Sequence, residues 1–322
     1  MLMTKLRALV VALFGIAVSL TAQAQPQTWP QRSVRFIVPL GPGSGADIGA
    51  RMLSDRLAAR WGKPVVVENR PGADGLVAIQ AFVTANDDHT LLFSPSGSFT
   101  VHPFQYEKLP YAPGDLNPIA RVSNTIMAVG VPATAEIATV ADFVARARAE
   151  PGKLNMAAVP GIGEMTFDYF VKTAGLKVAK VPYRDIVQAA TDVGEGRIQI
   201  MMASYAILQP QAQAGRIRIL VVNGRQRAPI LPEIPTVAEA GFPALELEGL
   251  VGLFAPRGMA QELREQIAAD VIAAADPAIA ARLSGTAQVL NPGGPAEFAA
   301  DIERQRAQNA VIAQAIGLKP KQ

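Results

Sequence analysis

Short apolar runs alternate with segments of helical period along most of this chain, and the alternation happens twice. Runs at 34–40, 65–68 and 91–94 are separated by helical spacing at 48–61, where Ile48, Met52 and Leu57 share a face, and at 76–84. Strand–helix–strand order of this kind specifies a mostly parallel sheet covered by helices. The pattern restarts with strands expected at 125–131, 154–159, 179–182, 198–203 and 217–222, and helices at 140–150, 165–174, 186–195 and 207–214. A passage carrying Pro229, Pro232, Pro235 and Pro243 follows as loop. A strand at 250–254 then leads into helices at 261–275, 277–282 and 295–315. Those last helices need a sheet to cover. The chain is therefore expected to leave a first α/β domain near Asn124, build a second, and return near Leu250. The two domains would comprise 25–124 plus 250–322, and 125–249, with the two crossing strands as a hinge.

Lys5 and Arg7 precede an apolar run at 8–22 that ends in Ala22-Gln23-Ala24. This is the order of a secretory signal peptide, residues 1–24, cleaved after Ala24, and the run is short for a membrane span. Without the leader, Lys+Arg falls from 30 to 28 against 27 Asp+Glu, so the net charge falls from +3 to +1. Arginines are scattered, and no footprint for nucleic acid results. The absence of cysteine excludes a lipoprotein anchor, a thiol nucleophile, disulfides and cysteinyl metal sites. His89 and His102 are the only histidines, too few for a histidine-rich metal centre. No cofactor and no metal is expected.

Two glycine-containing loops occupy equivalent places in the two halves. The first is Gly41, Pro42, Gly43, Ser44, Gly45, Ala46 and Asp47; the second is Val159, Pro160, Gly161, Ile162, Gly163 and Glu164. Each joins a strand to a helix, where the cleft of an open α/β sheet lies. Glycine admits close approach of a ligand, and the first helical turn offers unpaired N–H groups with partial positive charge. Two such termini on one cleft form an anion receptor that needs no lysine or arginine. Asp47 is expected as a helix cap. Glu164, a carboxylate at an anion site, either caps its helix, points outward, or marks a ligand with a positive group.

Other chemistries fit less well. The first loop followed by Glu68 superficially resembles a dinucleotide fingerprint, but its glycine spacing is wrong, and Gly45 is followed by Ala46 where a P-loop requires lysine. No Gly-x-Ser-x-Gly, His-Glu-x-x-His or Ser-x-x-Lys occurs. Ser96 and Ser98 with His102 are the one serine-hydrolase arrangement the residues allow, although hydroxyls at a strand end serve ligand binding equally, and His102 beside Pro103 is expected to be structural. The chain is expected not to be an enzyme.

At these loops the chain resembles the Bug-type receptors of tripartite tricarboxylate transporters. The resemblance is carried by Val65-Val66-Val67-Glu68-Asn69-Arg70-Pro71-Gly72-Ala73-Asp74-Gly75, with Asp74 where glycine is usual, and by Pro235-Thr236-Val237-Ala238-Glu239-Ala240-Gly241-Phe242-Pro243. Val181-Pro182-Tyr183-Arg184 and Gly252-Leu253-Phe254-Ala255-Pro256 match two further segments. It implies a periplasmic-binding-protein clamshell that takes a small carboxylate and hands it to membrane permease subunits. An orphan receptor reporting to a signalling system would keep the same cleft. By matching position, the resemblance assigns ligand contact to 42–47 and 159–164, to Ser96 and Ser98, to Tyr183 through Asp185, and to Met202, Ala203 and Ser204. A monomer is expected. Glu164 and Asp185 depart from the family pattern by adding negative charge, which would favour a cationic or zwitterionic ligand.

Overall fold

β1 (Val34–Val38), β2 (Val65–Asn69) and β3 (Thr90–Pro95) lie parallel in the computed structural model, which describes residues 29–320. The expected leader, 1–24, falls outside the described residues. α1 (Gly45–Trp61) and α2 (Leu76–Ala85) make the connections. The sheet is completed by β4 (Asn117–Thr125), β10 (Gly249–Ala255) and β11 (Gln288–Gly293), in the order β11-β4-β10-β3-β1-β2.

All three pairings that β10 and β11 bring are antiparallel, so the sheet is mixed where a mostly parallel one was expected. The reason is the path. A strand that returns through a crossing enters at the cleft end of the sheet and runs against the strands that point there. The second sheet obeys the same rule: β5 (Met127–Pro132) leads away from the crossing, between β8 (Met201–Ser204) and β9 (Ile217–Val222), and is antiparallel to both. A parallel pair, β6 (Asn155–Ala158) and β7 (Ala179–Pro182), joins this group through a bridge between Met156 and Ile200.

The strand expected at 125–131 is two strands. Ile126 between them gives its N–H to Ala287 and its carbonyl to Tyr205, both outside the ladders, and so forms the first crossing. The second runs from Asn223, whose carbonyl accepts from Leu247, into β10. Helices α4 (Val140–Ala149), α5 (Ile162–Thr173), α6 (Ile186–Gly194) and α7 (Tyr205–Gln213) cover the second group. α3 (Gly97–Gln105), α8 (Gln261–Ala274), α9 (Pro277–Ser284) and α10 (Pro295–Ile316) belong with the first sheet.

Each group has its own apolar core. Ile37, Phe82, Leu92, Phe254 and Phe298 pack under the first sheet; Val131, Phe143, Phe167, Phe170 and Ile200 pack in the second. Fully burying side chains of this size contributes about 1.5–3 kcal/mol each. α10 ties the groups together. Gln305 and Gln308 donate to the carbonyls of Glu248 and Glu246 on the second crossing, at 2.8 and 2.9 Å, and Ile312 packs with Val101 and Met165. Among the described residues no helix is long and apolar enough to cross a membrane.

Candidate cleft between two sheets

The first loop is braced by its own residues. Ser44 caps α1, accepting from the Asp47 N–H, and the Asp47 carboxylate accepts from the Gly43 N–H at 2.9 Å. Asn69 at the end of β2 donates to Asp47 at 2.8 Å and to the Leu40 carbonyl, while Arg51 grips the same carboxylate at 3.1 Å. Asp47 is 2 % exposed. Burial alone would raise its pKa, but the hydrogen bonds from Arg51, Gly43 and Asn69 and the Arg51 charge together hold it below its ordinary value. The cap of α1 is Ser44, not Asp47 as was expected; Asp47, in the first turn, instead holds the Gly43 N–H ahead of the helix and braces the loop. Gly43 has φ +82°, the left-handed region that glycine reaches without strain. Among the described residues, none accepts a hydrogen bond from the N–H groups of Gly45 and Ala46 at the start of the helix.

The second loop is different. Gly161, at φ +143°, opens α5 with no side-chain cap, so the N–H groups of Ile162, Gly163 and Glu164 are unspent. α3, which follows β3, also starts without a side-chain cap. The two uncapped termini meet: a Cβ built on Gly97 would lie 3.3 Å from the Ile162 side chain. Helix termini from two different sheets thus converge on one place, each with partial positive charge. A cavity of about 300 Å³ opens beside Gly161, with Asp74 and Tyr106 on its other wall.

Glu164 neither caps α5 nor stands alone. Lys180 holds it at 2.5 Å and Asp168 at 2.7 Å. Burial pushes the Asp168 carboxyl up, with Lys180 opposing; burial would lower Lys180, yet its two carboxylate partners hold it above its ordinary value. Asp185 caps α6, accepting from Val187 and Gln188. Both acids that pointed to a cationic ligand have partners within the protein, and that argument lapses.

The remaining assigned residues divide. Ser96 is fully buried, its hydroxyl donating to Gln305 at 2.7 Å, and Ser98 donates to Asp74 at 3.2 Å. Tyr183 donates to Asp192 at 2.6 Å; burial and then this bond push its pKa up to about 12. Met202 and Ala203 are buried in the second group's cores, while Ser204 starts α7 with its hydroxyl uncommitted. Val159 packs against one of those cores, and Pro160 lines the cavity beside Gly161.

The hydrolase arrangement is not assembled. His102 is fully buried, with Nδ1 2.8 Å from the Tyr111 hydroxyl and Nε2 3.0 Å from the Asp74 carbonyl. Both ring nitrogens are engaged, and neither Ser96 nor Ser98 is the partner. The histidine instead supports Asp74, which stands at φ +50° in the left-handed region. The family preference for glycine at this position thereby acquires a backbone reason. The sequence reading missed four residues that shape the site: Asn69, Arg51, Lys180 and Gln288. Asn69 lay in a segment quoted for the resemblance, Arg51 and Lys180 in an expected helix and an expected strand, and Gln288 in none. A trio of potential metal ligands, Asp87, Asp88 and His89, sits at the opposite end of β3 from Ser96, and Asp87 already accepts from Arg32, Thr90 and the His89 N–H.

Comparison with known proteins identifies the family and the fold. The family described as "Tripartite tricarboxylate transporter family receptor" matches residues 49–318. A UPF0065 protein of Bordetella bronchiseptica is 31 % identical over 317 residues, covering 98 % of this chain and 94 % of its own. BugT of Bordetella pertussis is 28 % identical, over 80 % of each chain. Among solved structures, R. palustris Rpa4515 with adipate superposes with a TM-score of 0.78 at 26 % identity, covering 91 % of this chain and all of that one. The architecture is the two-domain α/β clamshell of these receptors.

Proposed function

Because the chain belongs to the tripartite tricarboxylate transporter receptor family, we propose that it captures a small carboxylate in the cleft between its two sheets and delivers it to permease subunits in the membrane. The observation that carries the reading is the meeting of two uncapped helix termini, α3 and α5, at Gly97 and Ile162. The donors at the start of α5, and those of Gly45 and Ala46 at the start of α1, are suited to a carboxylate because N–H groups at a helix start favour negative charge. The bound adipate of Rpa4515, a protein 26 % identical to this one, supports a dicarboxylate or similar acid. The family's receptors are solute-binding proteins of the periplasm, and a leader at 1–24 cleaved after Ala24 fits that destination.

The proposed domains are 25–124 plus 250–322, and 125–249. β4 and β10 belong to one sheet while β5 and β9 belong to the other, which supports these limits. Ligand contact is assigned chiefly to the backbone at 45–46 and 161–164, with Ser98 and Ser204 at the edges. The experiment is thermal unfolding of residues 25–322, unfolded and refolded to strip any occupant, against adipate, malate, succinate, citrate and amino acids. A ligand at a hundred times its dissociation constant stabilises by about 2.7 kcal/mol. A chain of this size should respond with a rise of a few degrees. A flat response to every acid would overturn the reading.

A further inference from the structure

The acids around the loops are almost all accounted for within the protein. Asp47 has Arg51, Glu164 and Asp168 share Lys180, and Asp185 is spent as a cap. Asp74 is different. Its carboxylate accepts from the Ser98 hydroxyl at 3.2 Å, and His102 Nε2 lies 3.5 Å from its Oδ2. The ring nitrogens of His102 are met by the Tyr111 hydroxyl and the Asp74 carbonyl, a pattern that a neutral imidazole satisfies in full. Among the described residues no lysine or arginine forms an ion pair with Asp74, and no backbone N–H donates to its carboxylate.

The turn that carries it, Ala73–Gly75, lies at the carboxyl ends of β1 and β3. A Cβ built on Gly75 would stand 3.4 Å from the Pro39 side chain and 3.8 Å from that of Ser98. The Asp74 side chain is 39 % exposed and lines the cavity of about 300 Å³ that also holds Gly161. Glu164, Asp168, Lys180 and Lys319 line the same space, so three carboxylates face two ammonium groups, one of which two acids already share. A ligand that fills the cavity strips water from the Asp74 carboxylate, which is costly unless the ligand returns a donor. An ammonium group returns both a donor and the opposite charge. A second carboxylate in the same place would meet the excess of acids instead.

We propose that Asp74 is a specificity residue of this receptor: it takes an ammonium group on a ligand whose carboxylate rests on the start of α5. The preferred ligand is then an amino acid with its amine and its carboxylate at opposite ends, and not a diacid. The inference rests on the carboxylate-binding reading of the cleft. Asp74 can be tested without disturbing the turn, because glycine and asparagine both adopt the left-handed backbone that it holds at φ +50°.

The experiment is titration calorimetry of protein refolded to strip any occupant, against ω-amino acids, α,ω-diacids and plain acids of four to six carbons. The unmodified protein is compared with Asp74→Gly and Asp74→Asn. The tightest ω-amino acid is expected to bind about tenfold or more tighter than the diacid of its length, the scale of one charge-assisted hydrogen bond. Both variants should lose that preference while the plain acids bind them as well as before or better. A diacid that binds the unmodified protein as tightly as the amino acid of its length overturns the proposal, as does a preference unchanged in both variants. Either result leaves the carboxylate reading standing. Loss of plain-acid binding in both variants makes Asp74 a support of the turn and overturns the proposal too. Failure of every acid to bind the unmodified protein overturns the carboxylate reading, and the proposal with it.

Discussion

Gln288 of β11 reaches with its side-chain Nε2 into the space that a side chain on Gly45 would need, while its side-chain Oε1 accepts from the Ser123 hydroxyl. The glycine in the first loop is therefore fixed by packing against the sheet behind it as much as by any ligand in front. Gly45→Val is expected to lower stability by about 1–3 kcal/mol through overpacking. Urea denaturation would show the loss, and Gln288→Ala in the same background should return part of it. An equal loss with and without Gln288 would place the obstacle elsewhere.

Gly161 behaves oppositely. No atom lies within 4 Å of a Cβ built there, but φ is +143°, so the penalty is in the backbone. Gly161→Ala is expected to cost roughly 1 kcal/mol or slightly more in stability. It should also weaken carboxylate binding more than tenfold by re-aiming the first N–H groups of α5. Calorimetric affinity equal to that of the unmodified protein would remove this loop from the site.

Lys180→Met leaves Glu164 and Asp168 without their cation, one of them in the first turn of α5. Carboxylate affinity should fall about tenfold at low salt, about 1.4 kcal/mol, and the deficit should shrink as salt screens the repulsion. Asp168→Asn in the same background should recover part. Titrations at two ionic strengths separate this from a loss of folding, which salt would not repair in step.

Asp47→Asn tests the brace of the first loop. The folded carboxyl is held below its ordinary 3.8, so its contribution is complete above that value and is lost as pH falls through the lower folded one. The variant should be about 2 kcal/mol less stable at pH 7, the scale of hydrogen bonds to a charged group. The gap should narrow progressively as pH falls below 3.8. A gap that stays constant from pH 7 down to the acid limit of folding would mean that packing, not ionisation, is what Asp47 supplies.

His102→Ala should cost about 2–4 kcal/mol, since a fully buried ring is removed and the Tyr111 hydroxyl and Asp74 carbonyl lose their partner. Ester hydrolysis by the unmodified protein that disappears in this variant would instead revive the hydrolase.

The strands read best from sequence were those with uninterrupted apolar runs, such as β1 and β9. β4 was missed apart from its last residue because it carries Asn117, Pro118 and Arg121, and Arg121 is buried only by virtue of Asp301, Glu297 and the Asn291 carbonyl, all distant in sequence. β11, with Asn291, Pro292 and Gly293, carries no strand signal and went unassigned for the same reason. α3 contains Pro103 and hid behind its serines. At the site, the glycine loops were legible because backbone conformation is written in residue type. The charge partners were not: nothing in the spacing of Lys180 announces that it faces Glu164, and this contact, with the capping role of Asp185, removed the argument that those two acids made for a positive ligand.

The interleaved order β11-β4-β10-β3 has a consequence for how the molecule comes into being. As the polypeptide is delivered from its amino end, the second group of strands, continuous from 127 to 222, is complete while β3 still waits for the neighbour that begins at Gly249. The first sheet keeps a bare edge until nearly all of the chain has emerged. The late arrival of β10, β11 and α10 thus leaves completion of the first sheet to the final stage of synthesis.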